Sequence, residues 1–247
     1  MQKPRVSLIT FCRDSQEAFN RVVRHYNTLN IPDAIEWVII DHCSKPELEF
    51  ETEPNFRTSL SKYENCKFHI YSSLRNYGVE QARGDYLVFF GIDTWISSEW
   101  IRFALFRTDK YAVSPRNRAM LDENGKLTVL KDQLFMDSGA DWISREVFDC
   151  LGGFDVDLDE ICFEDTDFRM RYLNHFATIN HQGKVSMPEM SLAPRIYTWP
   201  EKGQLGRPNF LFKGKKHKQN PGLAEQIINT KDKLPYFNDF KLKVITE

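Results

Sequence analysis

Nowhere in this chain do the roughly 18 to 20 consecutive apolar residues that a bilayer-crossing helix requires follow one another, so no transmembrane segment is expected. The cysteines are few and scattered. Cys12, Cys43, Cys66, Cys150 and Cys162 form no CxxC pair and are odd in number, which argues against a structural zinc site or a disulfide framework and fits a reducing compartment. The opening residues, MQKPRVSLITF, contain no signal-like apolar run, and a soluble cytoplasmic protein is the expectation. Neither sign of charge dominates, with 33 Lys and Arg against 35 Asp and Glu and a net charge of −2. The chain as a whole therefore carries no electrostatic footprint for nucleic acid. Internal repeats and low-complexity tracts are absent. No glycine- and lysine-rich triphosphate loop follows the first apolar segment, which disfavours a nucleotidyl transferase.

What is present is an ordinary globular composition, 41% hydrophobic and 28% charged over 247 residues, enough for one α/β domain with an appendage. Residues 6–11, VSLITF, are a nearly continuous apolar run of the kind that buried parallel strands show. Ser15 opens an amphipathic helix with Phe19, Val22, Val23 and Tyr26 at helical spacing. EWVIIDHCS is a second buried strand ending in Asp41. Residues 44–65 read as irregular with a short helix around 56–63, and CKFHIYS as a third strand. RNYGVEQARG then gives a loop and helix, DYLVFF a fourth strand, and WISSEWIRFALF a helix. This order is the signature of an open α/β sheet.

Ligands of such sheets sit beyond the carboxyl ends of the strands. Three polar clusters fall there: Thr10, Arg13 and Asp14; Asp41 and Ser44; Asp93 and Thr94. Each alone is ordinary turn chemistry; three converging on one edge point to a site. In the second half, residues 110–117 suggest a strand and LDENGKLTVL a hairpin. Residues 144–150 suggest a short helix ended by Gly152 and Gly153. From Asp165 the spacing becomes helical, with Phe168, Tyr172 and Phe176 on one face and Asp165–Arg169 and Asp167–Arg171 as i,i+4 pairs. Glu164, Asp165 and Asp167 at this helix start have two readings, complements to the helix dipole or a general base facing a cleft.

The order of these pieces resembles the family 2-type glycosyltransferases of the GT-A fold. Asn76, Gly78, Ala82, Gly84 and Tyr86 match an N-x-G-x-x-x-A-x-G-x-Y segment. An apolar strand and a D-x-D position follow, then Gly152, Gly153, Phe154 and Asp155, and then Glu164, Asp165, Asp167 and Arg171. The resemblance covers about residues 5–185. It implies an open, mixed, mainly parallel sheet flanked by helices over residues 1–200, with residues 201–247 as a basic and aromatic extension packing on or over the active site.

The resemblance also implies roles. Thr10, Phe11 and Arg13 would border the nucleotide base, and Asp41 would accept a hydrogen bond from a uracil-like imide. Arg75 and Asn76, with Gly78 and Arg83, would belong to the nucleotide-sugar pocket. Asp93 would hold a divalent cation, Mn or Mg, that bridges the donor phosphates, with His181 either a further metal or phosphate contact or a plain hydrogen-bonded histidine. Asp165 would be the base that deprotonates the acceptor hydroxyl, implying inversion. Asp137, Trp142 and Glu164 would line the sugar and acceptor cleft, although Trp142 also reads as a packing residue. In D-x-D this chain has Gly91-Ile92-Asp93: the first carboxylate is missing.

The stretch KGQLGRPNFLFKGKKHK holds six Lys and Arg and no acid. The resemblance implies that Lys213 or Lys215 would act as a cationic lid over the diphosphate. The same run reads equally as a solvated loop or as a contact with a polyanion such as DNA or RNA. The expected activity is therefore sugar transfer from a nucleotide diphosphate, UDP foremost, to an acceptor hydroxyl on a glycan, a small molecule or a nucleic acid. A non-catalytic nucleotide-sugar-binding protein is the alternative that Gly91 raises, and a homo-oligomer is compatible with the apolar residues of the tail.

Overall fold

The computed structural model describes residues 3–106, 118–121, 127–130, 141–160, 164–176, 178–179, 185–186 and 196–198. Its centre is a five-stranded sheet of order β3-β2-β1-β4-β8. The strands are β1 (Val6–Cys12), β2 (Ile35–Asp41), β3 (Thr58–Lys62), β4 (Tyr86–Gly91) and β8 (Asp141–Ser144). The first four run parallel, and β8 pairs antiparallel with β4. The expected mixed, mainly parallel sheet is what forms. Parallel strands covered on both faces need apolar side chains at every position, and β2, IEWVIID, is buried along its whole length.

Alternation along the strands sends the core to two sides. Leu8, Trp37 and Val88 pack with Phe19, Val22 and Tyr26 of α1 (Gln16–Asn27) and with Trp100 of α3 (Ser98–Phe106). Ile9, Val38, Leu87 and Phe89 pack with Leu74 and Val79 of α2 (Tyr71–Gln81), with Phe148 of α4 (Arg145–Cys150), and with Phe168 and Tyr172 of α5 (Glu164–Phe176). A second sheet contains β5 (Thr94–Trp95), β6 (Arg118–Leu121), β7 (Leu127–Leu130) and β11 (Ile196–Thr198), in the order β5-β11-β6-β7. Within it, β6 and β7 pair antiparallel as the hairpin reading required, with Leu121 opposite Leu127. The short strands β9 (Thr178–Ile179) and β10 (Val185–Ser186) pair separately. The strand expected over 110–117, Phe176 as a facing residue and the extension from 201 lie outside what is described. Among the described residues no helix is long and apolar enough to cross a membrane.

Two assignments are corrected. The third strand is not CKFHIYS but Thr58–Lys62, where a short helix was expected, and it pairs with β2 from Trp37↔Thr58 to Asp41↔Lys62. Its sparse apolar content suits a half-exposed edge strand, which periodicity alone does not separate from a loop. Residues 66–70 instead lead into α2, and His69 adopts φ 60°, a conformation that no strand continues through.

Helix α2 lies close to β1 because Gly78 has no side chain. A Cβ there would stand 2.5 Å from Ile9 Cγ2. The sequence motif that suggested a nucleotide contact at Gly78 thus reports helix–sheet packing. Replacing Gly78 with Ala should lower stability by up to about 2 kcal/mol, since overpacking of about 1–3 kcal/mol offsets the roughly 1 kcal/mol that Ala gains in helix propensity. Urea unfolding with an unchanged m-value would measure it; a stabilised variant would refute the close-approach argument.

Candidate active site

The parallel strands end together. Phe11 lies opposite Gly91, Cys12 opposite Asp41, and Asp41 opposite Lys62. The loops after β1 and β2 then tie to each other. The Asp14 amide donates to Ser44 Oγ (2.9 Å) and the Lys45 amide to Asp14 Oδ1 (2.7 Å). Asp41 is buried and anchors its own loop, Oδ1 accepting from the Ser44 amide (3.0 Å) and Oδ2 from the Leu48 amide (3.1 Å). Each carboxylate oxygen retains a further lone-pair direction for a ligand. The neighbouring Cys12 is buried, and burial together with the Asp41 carboxylate pushes its thiol far above the ordinary range, which disfavours the thiolate. Thr10 does not present its hydroxyl to the edge, because its Oγ1 accepts from Trp37 Nε1 (3.1 Å) inside the core.

A segment over residues 63–70 crosses this edge. The Tyr63 amide donates to the Asp41 carbonyl (2.8 Å), and His42 Nε2 bonds the Asn65 carbonyl (3.0 Å). Cys43 and Cys66, 23 positions apart, form a disulfide. This corrects the expectation of reduced cysteines throughout and removes the thiol argument for a reducing compartment; the partners meet only because β2 and the 63–70 segment do. Arg13 reaches the same segment, with Nη1 donating to the Cys66 carbonyl (2.8 Å) and its guanidinium 3.9 Å from the centre of the Phe68 ring.

At the end of β4, Gly91 and Asp93 share one space. A Cβ at residue 91 would come within 2.6 Å of Asp93 Oδ1, which accepts from Thr94 Oγ1 (3.2 Å). The remaining carboxylate of the G-x-D sequence therefore occupies the volume into which a side chain at 91 would project.

The opposite wall comes from α2, residues 151–160 and α5. Asn76 forms a two-point clamp, its Nδ2 donating to the Phe154 carbonyl (2.8 Å) and its Oδ1 accepting the Phe154 amide (2.9 Å). Gly153 has φ 72°, and a Cβ there would stand 2.9 Å from Asn76 Oδ1. Asn76 thus fixes the wall instead of reaching toward a ligand. Asp159 accepts from the Ser72 and Ser73 amides (3.0 and 3.3 Å) and from the Ser73 hydroxyl, capping α2 from outside it. Arg75 pairs with buried Glu164 and lies over Phe11 and Phe154. Glu164 is thereby committed to Arg75, whereas the adjacent Asp165, in the first turn of α5, is half-buried. The predicted Asp167–Arg171 pair forms (2.7 Å), and Arg171 also donates to the Leu151 carbonyl (2.6 Å). Burial pushes the Asp167 carboxyl up, against the pull of Arg171.

Two expected site residues lie elsewhere. Arg83 binds Glu36 through its amide (2.6 Å), Nε and Nη2, beside Ser7 at the amino ends of β1 and β2. Trp142 is fully buried between Tyr86 and Trp100 and cannot stack on a sugar. Asp137, His181, Lys213 and Lys215 lie outside the described residues. Among the described residues no group of three or more His, Cys, Asp or Glu gathers as a metal site. Asp93 as a single carboxylate is nevertheless compatible with a hard divalent ion, which takes its other oxygens from phosphates and water. Sequence reasoning missed Asp159 as the cap of α2; an acid just beyond G-G-F-D was the available signal.

No family model matches the chain, and no curated protein matches it in sequence. Solved structures do. Over 97% of its length the chain is similar to residues 1–349 of S. aureus TarS in complex with UDP-GlcNAc, at 14% identity and TM-score 0.55, covering 76% of that chain. Over 93% it is similar to the mannosyltransferase PcManGT from Pyrobaculum calidifontis in complex with GDP-Man and Mn2+, at 14% identity and TM-score 0.54, covering 65% of it. GalNAc-T7 with UDP, GalNAc and Mn2+ matches over 95% of this chain and 59% of that one, at 13% identity and TM-score 0.53. Against the longer TarS structure the chain spans 46% of the length. At these identities the likeness is one of fold: the chain has the GT-A fold.

His42 and His25 are both pushed down, chiefly by burial; for His42 the Arg13 charge adds to this, and carbonyl hydrogen bonds only partly offset it. A histidine with a lowered folded pKa binds its proton more readily when unfolded. Stability should therefore be full above the unfolded value of about 6.5 and fall as pH drops below it, before ordinary carboxylates titrate. Melting temperatures between pH 7.5 and 5 should show this decline, and a His25→Gln, His42→Gln double variant should flatten it. An equal slope in the variant would show that other groups are responsible.

Proposed function

We propose that this chain is a glycosyltransferase that moves a sugar from a nucleotide diphosphate, uridine-linked, to an acceptor hydroxyl with inversion at the anomeric carbon. The observation that supports the reading is that Arg75 links the end of β1 to the start of α5 on a GT-A sheet, which in this reading brings Asp93 and Asp165 to one cleft. Asp93 follows Gly91, which pairs with Phe11; Arg75 lies over Phe11 and binds Glu164, the neighbour of Asp165. Support for the donor class comes from the fold neighbours, two of which were solved with uridine nucleotides and two with Mn2+.

In this reading the base of the donor sits by Asp41, whose free lone pairs accept the imide N–H. The diphosphate extends along the edge toward Asp93. A Mn or Mg ion held by Asp93 would neutralise charge on the leaving diphosphate. Asp165, in a first helical turn where backbone amides favour negative charge, accepts the proton of the acceptor hydroxyl. The acceptor oxygen bonds to the anomeric carbon from the face opposite the diphosphate, whose C–O bond breaks. One displacement inverts the configuration. No covalent intermediate is needed. Arg75 keeps Glu164 from competing for the proton and holds the start of α5 against α2.

Calorimetry with UDP, with and without Mn2+, tests the donor half. Wild type should bind in a metal-dependent way, and Asp93→Ala should lose the metal dependence. Asp165→Asn should leave UDP affinity within about twofold while slowing UDP release from a UDP-hexose about 10²- to 10⁴-fold, the usual contribution of a general base. Absence of binding to UDP, GDP, CDP and dTDP alike would sink the reading and leave a fold without donor chemistry.

A further inference from the structure

Phe68 is anomalous. It is 65% exposed, whereas Phe11, Tyr63 and Tyr71 at this edge are partly buried. Solvation of a large apolar ring is unfavourable, and a lone exposed aromatic alone would signify nothing. This one, however, is held in place. The Arg13 guanidinium lies 3.9 Å from its centroid, and Arg13 is itself fixed by the Cys66 carbonyl two residues before Phe68. Cys66 is bonded to Cys43 at the end of β2, Asn65 to His42, and Lys67 forms an ion pair with Glu160 (2.6 Å). The ring therefore has one face occupied by a cation, a rigid support beneath it, and its remaining surface turned to solvent. Through Arg13 and the disulfide the segment bearing the ring is tied to the loops that carry Asp14 and Asp41, where the nucleotide base belongs in the reading above.

We infer that Phe68 is a stacking platform for the nucleobase of the donor, with Arg13 its positioning residue instead of a direct base contact. The inference rests on the donor reading and specifies which part of the ligand this segment recognises. A planar base offers a π-face to an aromatic ring regardless of its edge pattern, and such a contact is sequence-tolerant. Asp41 discriminates the base edge; Phe68 supplies affinity. A ring already braced by a cation and a disulfide loses little freedom when the base arrives, which is what makes a preorganised contact effective. The disulfide thereby acquires a role in binding, because it anchors the segment that bears the ring.

Calorimetry on the full chain with three probes decides it: UDP, UMP and inorganic pyrophosphate, each with Mn2+. Phe68→Ala should weaken UDP and UMP by about tenfold each and leave pyrophosphate unchanged, while Phe68→Trp restores nucleotide affinity. Undiminished UDP binding by Phe68→Ala would overturn the proposal. So would an equal loss for pyrophosphate, which would mark a merely structural role, or a loss confined to acceptor KM, which would place the ring in the acceptor path. If wild type binds none of the nucleotides, the donor reading itself fails, and this inference with it.

Discussion

Helix α2 is the member on which the rest depends, because residues from the second half of the chain fasten it at both ends and in the middle. Asp159 places a carboxylate at its amino end, where the helix amides lack partners. Arg145 donates to the carbonyls of Val79, Ala82 and Gly84 at the other end (3.3, 2.8 and 3.0 Å), where the dipole favours a cation. Between them Asn76 grips Phe154 by both backbone groups. Each bond contributes on the order of 1 kcal/mol net, but their effect is positional. They bring a wall encoded after residue 150 against strands encoded before residue 92, and they put Arg75 where it can hold Glu164.

This arrangement explains why so many motif residues turn out to be structural. Asn76, Gly78, Gly84 and Gly153 appear in a sequence pattern beside Asp93 and Asp165, and a pattern does not distinguish close packing from chemistry. Gly78 and Gly84 exist because a Cβ would meet β1 at 2.5–2.6 Å, and Asn76 because its carboxamide is the right length to mimic a strand neighbour. The sheet, its parallel order and the helices of the first half were legible because continuous apolar strands and helical spacing are local signals. Three features were not. Thr58–Lys62 is a strand only because β2 lies beside it. Cys43 and Cys66 are partners only after the 63–70 segment folds across the edge. Arg83 sits near a functional-looking motif, yet Glu36, an acid inside the buried run IEWVIID, required a cationic partner and was the clue to it.

The carboxyl edge carries backbone strain that its own contacts must sustain. Asp14, Cys43 and His69 all adopt positive φ without being glycine, a cost of order 1 kcal/mol or more at each that surrounding contacts must sustain. Those contacts are on hand: Ser44 and Lys45 hold Asp14, the disulfide holds Cys43, and Tyr71 contacts His69. Backbone amides that would otherwise satisfy turns are thus directed into loop-to-loop bonds, and the loops cannot relax separately.

The G-x-D variation belongs to the same economy of space. With a side chain at 91, Asp93 Oδ1 would have to leave its present position; with glycine there, a single carboxylate can lie back over the strand end beside Thr94. The glycine at 91 thus leaves room for the observed placement of Asp93. In the proposed reading a hard divalent ion would draw most of its oxygens from phosphate and water, so one carboxylate at Asp93 would serve. At the other end of the edge the Cys43–Cys66 disulfide and the bond from Arg13 to the Cys66 carbonyl hold the segment that carries Phe68.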